Sequence, residues 1–153
     1  MQRCLWSQYT TQAYVTGNLR LTPVQFFAPC TITRLGLYVA AGTPNVRLGI
    51  YADNGDTPDG GALLAECGPA APAAVGKFEI ALGTPLSIAP GLYWFAYLHD
   101  GNITVHIPTE RQSDLGTLVS RGVVQAFGAF PNPCPVTPTW TDSGLMYALV
   151  TVP

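Results

Sequence analysis

Charge is scarce in this chain. Only 10% of its 153 residues are Asp, Glu, Lys or Arg, against about 25% in an average soluble domain. Seven Lys plus Arg stand against nine Asp plus Glu, a formal net charge of −2, and Lys77 is the single lysine. A nucleic-acid surface needs clustered cations to displace counterions from phosphates. These are few and scattered, so no nucleic-acid partner is expected. Long apolar runs are missing too. No stretch approaches the roughly 18 residues of a membrane-spanning helix, so no membrane partner is expected. The first six residues lack the apolar core of a secretory signal. The expectation is either assembly without export or a signal that lies outside this sequence, with chain ends pinned by neighbouring subunits. The Ala, Glu, Lys, Leu and Arg bias of a helical bundle or coiled coil is also absent.

Catalytic signatures are equally thin. His99 and His106 are the only histidines, and a zinc site needs at least three protein ligands. His99 stands at a strand end beside a turn, where local hydrogen bonding is its expected role. No serine lies in a Gly-x-Ser-x-Gly elbow. The four cysteines, Cys4, Cys30, Cys67 and Cys134, form no Cys-x-x-Cys pair, which removes zinc-ribbon and thioredoxin-like readings. No catalytic residue, metal or other cofactor is expected.

Hydrophobic residues make up 48% of the chain, enough to order it. Its length suits one domain. Sixteen Gly and 14 Pro punctuate it with turn chemistry at 17–18, 41–44, 53–56, 58–61, 89–91 and 100–102. Between the turns lie short runs of β-branched and aromatic residues, at 32–39, 46–51, 77–82, 91–98, 103–107, 122–127 and 145–152. In the first run Ile32 and Tyr38 alternate with Leu35, Leu37 and Val39. In the third, Phe78, Ile80 and Leu82 share one face. Residues 91–98 are apolar on both faces and read as a central strand. This period of two predicts an all-β fold, an antiparallel β-sandwich of jelly-roll type. Residues 61–66 are the one helical candidate, a single turn. The chain reads as one domain over 1–153, with 1–28 and 128–141 as candidate inter-subunit arms. The second arm holds the most unusual segment, with Pro131, Pro133 and Pro135 favouring extended polyproline-like backbone. It is read either as a loop crossing between sheets or as an arm lying on a neighbour.

Four cysteines permit three pairings, and spacing does not choose among them. They are read either as small buried hydrophobes or as a disulfide within or between chains, with Cys4 and Cys134 at a subunit boundary and Cys30 and Cys67 at segment edges. Asp53, Asp56 and Asp59 share one Gly-rich loop and offer the oxygen ligands Ca²⁺ takes. Their spacing does not fit an EF-hand, and no bidentate Glu follows, so a solvated hairpin is the stronger reading. Trp94 is expected in the core. Trp6 and Trp140 lie in polar surroundings and are candidate interface residues. Asn102-Ile103-Thr104 matches a glycosylation sequon, a pattern common by chance.

One stretch carries a resemblance. Asn45-Val46-Arg47-Leu48-Gly49-Ile50-Tyr51 runs into a Gly/Pro/Asp loop and Leu63-Leu64-Ala65, and Pro90-Gly91-Leu92-Tyr93-Trp94 follows later. This resembles a β-sandwich module of virion proteins of tailed bacteriophages and of some bacterial surface proteins, over about residues 31–98. The resemblance implies a non-enzymatic virion protein: a capsid decoration protein, or a fibre, neck or tail-tip component. It implies a homo-oligomer, a trimer first, that contacts other virion proteins and resides in the virion after assembly in the host cytoplasm. The alternative is a carbohydrate-binding or adhesin module whose partner is a host surface glycan. The family carries no catalytic residues, so none transfer.

Overall fold

Strands need residues that fit a pleated, half-buried surface, and turns need residues that tolerate reversal. The computed structural model describes residues 9–108, 120–137 and 146–151, and in it the alternating runs become strands. In chain order they are β1 (Tyr9–Tyr14), β2 (Asn18–Phe26), β3 (Cys30–Ala41), β4 (Val46–Ala52), β5 (Leu63–Ala70), β6 (Gly76–Ile88), β7 (Gly91–His99), β8 (Ile103–Pro108), β9 (Arg121–Val124) and β10 (Met146–Thr151). The protein is an all-β sandwich, and its described residues form two five-stranded antiparallel sheets.

The front sheet holds β1, β8, β3, β6 and β10, and the back sheet runs β5-β4-β7-β2-β9. Val39 pairs with both Gly76 of β6 and Val105 of β8, while Leu37 pairs with both Phe78 of β6 and Met146 of β10. A strand residue has one neighbour on each side, so β8 and β10 share the same edge of β3 end to end. Leaving β9 and β10 aside, the first eight strands pair as β1 with β8, β2 with β7, β3 with β6 and β4 with β5. The pairs alternate between the sheets. The chain is therefore a long doubled ribbon wrapped around a common core, whose innermost turn is the β4–β5 connection.

That core lies between the sheets. Ile32, Leu35, Leu37 and Val39 of β3 meet Val46, Leu48 and Ile50 of β4 and Phe95 of β7, all of them buried. Burying each such side chain favours folding by about 1.5–3 kcal/mol. Ile32 joins the others although period two would place it opposite Leu35. A bulge between Ile32 and Arg34 in the β3–β6 register adds the missing residue and resets the phase. Phe78, Ile80 and Leu82 share the core face as expected.

Two expectations are corrected. Residues 61–66 do not form a helical turn, because Leu63–Ala70 is edge strand β5. Pairing with β4 overrides the helical preference of Ala and Leu. Residues 9–26 are not a detached arm. β1 pairs with β8 along its length and buries Tyr14, and β2 lies inside the back sheet between β7 and β9. Pro23 obscured β2, since proline cannot donate to a ladder. It is tolerated because β9 reaches only from Asn18 to Leu21, which leaves β2 without that neighbour at Pro23.

Candidate functional site

In a two-layer sandwich the outer face of each sheet normally meets water. Here the outer face of the back sheet is apolar. Leu19, Leu21, Tyr51, Trp94, Ala96 and Leu98 point away from the front sheet and are nonetheless buried. This explains why β7 is apolar on both faces. The cover is the chain's own residues 127–137, which lay Phe130 and Cys134 on the sheet, with Phe127 packed beside them.

Hydrogen bonds sew this strap down. Gly60 N donates to Cys134 O and Cys134 N donates to Gly61 O, both at 2.9 Å. The Tyr51 hydroxyl donates to Pro131 O at 2.7 Å. Leu63 N donates to Asn132 Oδ1 at 3.1 Å, and Phe130 N to Glu66 Oε2 at 3.1 Å. Asp59 Oδ1 accepts both Thr137 N at 2.9 Å and Thr137 Oγ1 at 2.5 Å. Arg121 adds a bond from Nη1 to Thr137 O at 3.1 Å and lies 3.9 Å from Asp59 Oδ2.

The two sequence motifs take their meaning from this arrangement. At Gly49 a Cβ would come within 3.0 Å of the Phe130 ring, so glycine makes room for the strap. Ile50 enters the inner core, and Tyr51 holds the strap by its hydroxyl. In the second motif the Tyr93 hydroxyl closes its own turn on Ala89 O at 3.0 Å. Trp94 is buried, as expected, and its Nε1 donates to Asp53 Oδ1 at 2.8 Å.

Two of the three loop acids serve the protein's own hydrogen bonds. Asp53 accepts the Trp94 indole on one oxygen and Asp56 N on the other. Asp59 is turned to Thr137 and Arg121, and Asp56 is exposed at φ 65°. Protein donors thus occupy one site on each Asp53 oxygen and both on Asp59 Oδ1. Among the described residues no group of three or more His, Cys, Asp or Glu could hold a metal.

Cys30, Cys67 and Cys134 are free thiols and buried, with Cys30 at the edge of β3 as its first residue. Burial pushes Cys134 up to about 12, with the charge of Asp59 adding to it. Burial, helped by Glu66, does the same to Cys67. Such thiols carry little thiolate and are poor nucleophiles. Pro131 and Pro135 are half-buried and Pro133 is exposed. The run does not leave the domain as a free arm, because it covers its own sheet. Cys4, Trp6, Trp140 and residues 138–141 lie outside the described residues. Composition did not single out Thr137, Glu66, Arg121, Asn132 or Phe130. The one available signal was the doubly apolar β7, which requires something to cover it.

A scan against protein-family models returns no match, and a search of curated proteins finds no similar sequence. The phage-module resemblance therefore rests on the residues quoted above.

Proposed function

We propose that this chain is a non-enzymatic structural protein of a bacteriophage virion, a capsid decoration protein or a fibre, neck or tail-tip component. It acts through contacts with copies of itself and with other virion proteins. The observation that carries the reading is the strapped outer face. Polar side chains there that could serve chemistry or ligand binding are spent on bracing: Asp53 on Trp94, Asp59 on Thr137, Glu66 on Phe130 and Tyr51 on Pro131. A domain that covers its second sheet with its own chain gains rigidity rather than a binding cleft.

The pairing of β1 with β8, β2 with β7, β3 with β6 and β4 with β5 supports the jelly-roll reading. That fold serves viral capsid and lectin domains alike. A sugar-binding module stacks its ligand on an accessible aromatic face. Trp94, the one described tryptophan, is buried and capped by the strap, which favours the virion reading. Phe27, Val124 and Val136 are at least 79% exposed and offer apolar points of contact to neighbours. Sedimentation equilibrium of the purified protein tests the assembly part. A trimer or another closed oligomer is expected. A monomer at all concentrations, together with binding to a glycan array, would transfer the reading to the carbohydrate-binding class.

A further inference from the structure

His99 is fully buried where β7 ends. Its Nδ1 lies 2.7 Å from Gly101 O. A carbonyl oxygen only accepts, so Nδ1 carries the proton and Nε2 is the bare nitrogen of a neutral ring. Among the described residues Nε2 has no hydrogen-bond partner. Protonation would add a buried N–H with no acceptor among them.

Charged and titratable groups around the ring make the cation less welcome still. Arg20 of β2 is buried beside it, with its guanidinium 3.5 Å from the centre of the Tyr14 ring of β1. Tyr97 of β7 stacks on the imidazole at 6.2 Å and 21°, and Tyr14 packs on Tyr97 at 6.3 Å. Asp100, the nearest carboxylate in sequence, already receives Asn45 N at 2.8 Å and Asn45 Nδ2 at 2.7 Å. Burial and Arg20 both hold the imidazole below its ordinary 6.5, outweighing the opposing pull of Gly101 O and Asp100. The same residue anchors the neighbouring corner, since the Thr16 hydroxyl between β1 and β2 donates to His99 O at 3.0 Å.

We propose that His99 is an acid-sensitive catch: neutral, it holds the β1–β2 corner against the end of β7, and its protonation releases that corner. A protonated ring must leave its stack on Tyr97 to find water or an anion. Its departure uncovers Tyr97, on which Tyr14 packs, and displaces the backbone at His99 whose carbonyl Thr16 holds, so β1 is the element that loosens first. This device is independent of where the protein resides.

Amide hydrogen exchange at pH 7 and pH 5, corrected for intrinsic rates, tests it. In the native protein, protection of Tyr14 and of Asn18 to Leu21 should fall at least tenfold at pH 5. In His99→Asn, whose amide nitrogen replaces Nδ1 as donor to Gly101 O and does not titrate, protection should be the same at both pH values. His106→Gln should keep the acid step. Equal acid loosening in native protein and His99→Asn, or none in the native protein, overturns the proposal. Should His99→Asn fail to fold, the native His99 ring resonance decides. A titration midpoint below 6.5 that coincides with loss of β1 protection supports the catch. A midpoint at or above 6.5 with β1 still protected refutes it.

Discussion

Asp59 and Thr137 stand 78 positions apart in sequence and share two hydrogen bonds to one carboxylate oxygen. This contact fixes the end of the strap to the β4–β5 loop. Hydrogen bonds to a charged group stabilise by about 1.5–3 kcal/mol each. Asp59→Ala is expected to cost about 2–3 kcal/mol and Thr137→Val, which keeps the backbone bond, about half of that. Urea denaturation gives the ranking. Limited proteolysis should show cleavage within 127–137 in Asp59→Ala before the rest of the domain is cut.

Trp94→Phe removes buried volume beneath the strap and leaves Asp53 without its indole donor. Filling and pairing terms together predict a loss of about 2–4 kcal/mol. A change below about 0.5 kcal/mol in the unfolding free energy would contradict the packing described here.

Gly61 sits where backbone segments crowd together. A Cβ there would be driven into the Ala52 carbonyl oxygen and come within 2.9 Å of Pro58 O. Gly61 O also accepts Cys134 N. Gly61→Ala is expected to cost about 3 kcal/mol or more by overpacking, whereas Gly83→Ala, with open space around its Cβ, should be nearly neutral. Thermal melting of the two variants makes the comparison.

Stability should fall under alkaline conditions. Cys67 and Cys134 are raised from 9.0 to about 12 in the folded state. Above pH 9 the unfolded chain releases those protons and the folded chain keeps them, which favours unfolding. The stabilisation is complete below pH 9 and is lost as pH rises towards 12, at up to about 1.4 kcal/mol per pH unit for each thiol. Tyr51 is raised in the same direction by burial. Cys134→Ser should flatten part of that decline. Neither Cys67 nor Cys134 should alkylate at pH 8 until the protein is denatured.

Removing residues 1–14 is expected to destabilise the domain itself. The deletion takes away β1 and buried Tyr14, and leaves β8 without its partner along that edge. Circular dichroism of the truncated chain should show lost strand signal or a lowered melting temperature.

The fold class was legible because most strands are short β-branched and aromatic runs between turn residues. Alternation marks β3, β4 and β6, apolarity on both faces marks β7, and the runs at 103–107, 122–127 and 145–152 mark β8, β9 and β10. β2 was hidden by Pro23 alone, since Leu19 and Leu21 alternate with Arg20 and Thr22 as a strand requires. β5 was hidden by Leu63-Leu64-Ala65, which carries no strand preference of its own. The Ile32 phase error shows a further limit, because a bulge belongs to a pair of strands and not to one. The site was less legible. The Gly49-Ile50-Tyr51 and Tyr93-Trp94 motifs were visible, but their partners Phe130, Pro131 and Asp53 lie 41 to 81 positions away. Asp53 and Asp59 read as part of a solvated hairpin because their spacing says nothing of the donors that the strap and Trp94 bring to them.

Mass spectrometry of density-purified phage particles decides whether the chain belongs to a virion. It is expected in the particle at a stoichiometry matching a symmetric capsid, neck, fibre or tail-tip position. Its complete absence from particles, in a lysate that contains the folded protein, would contradict that expectation.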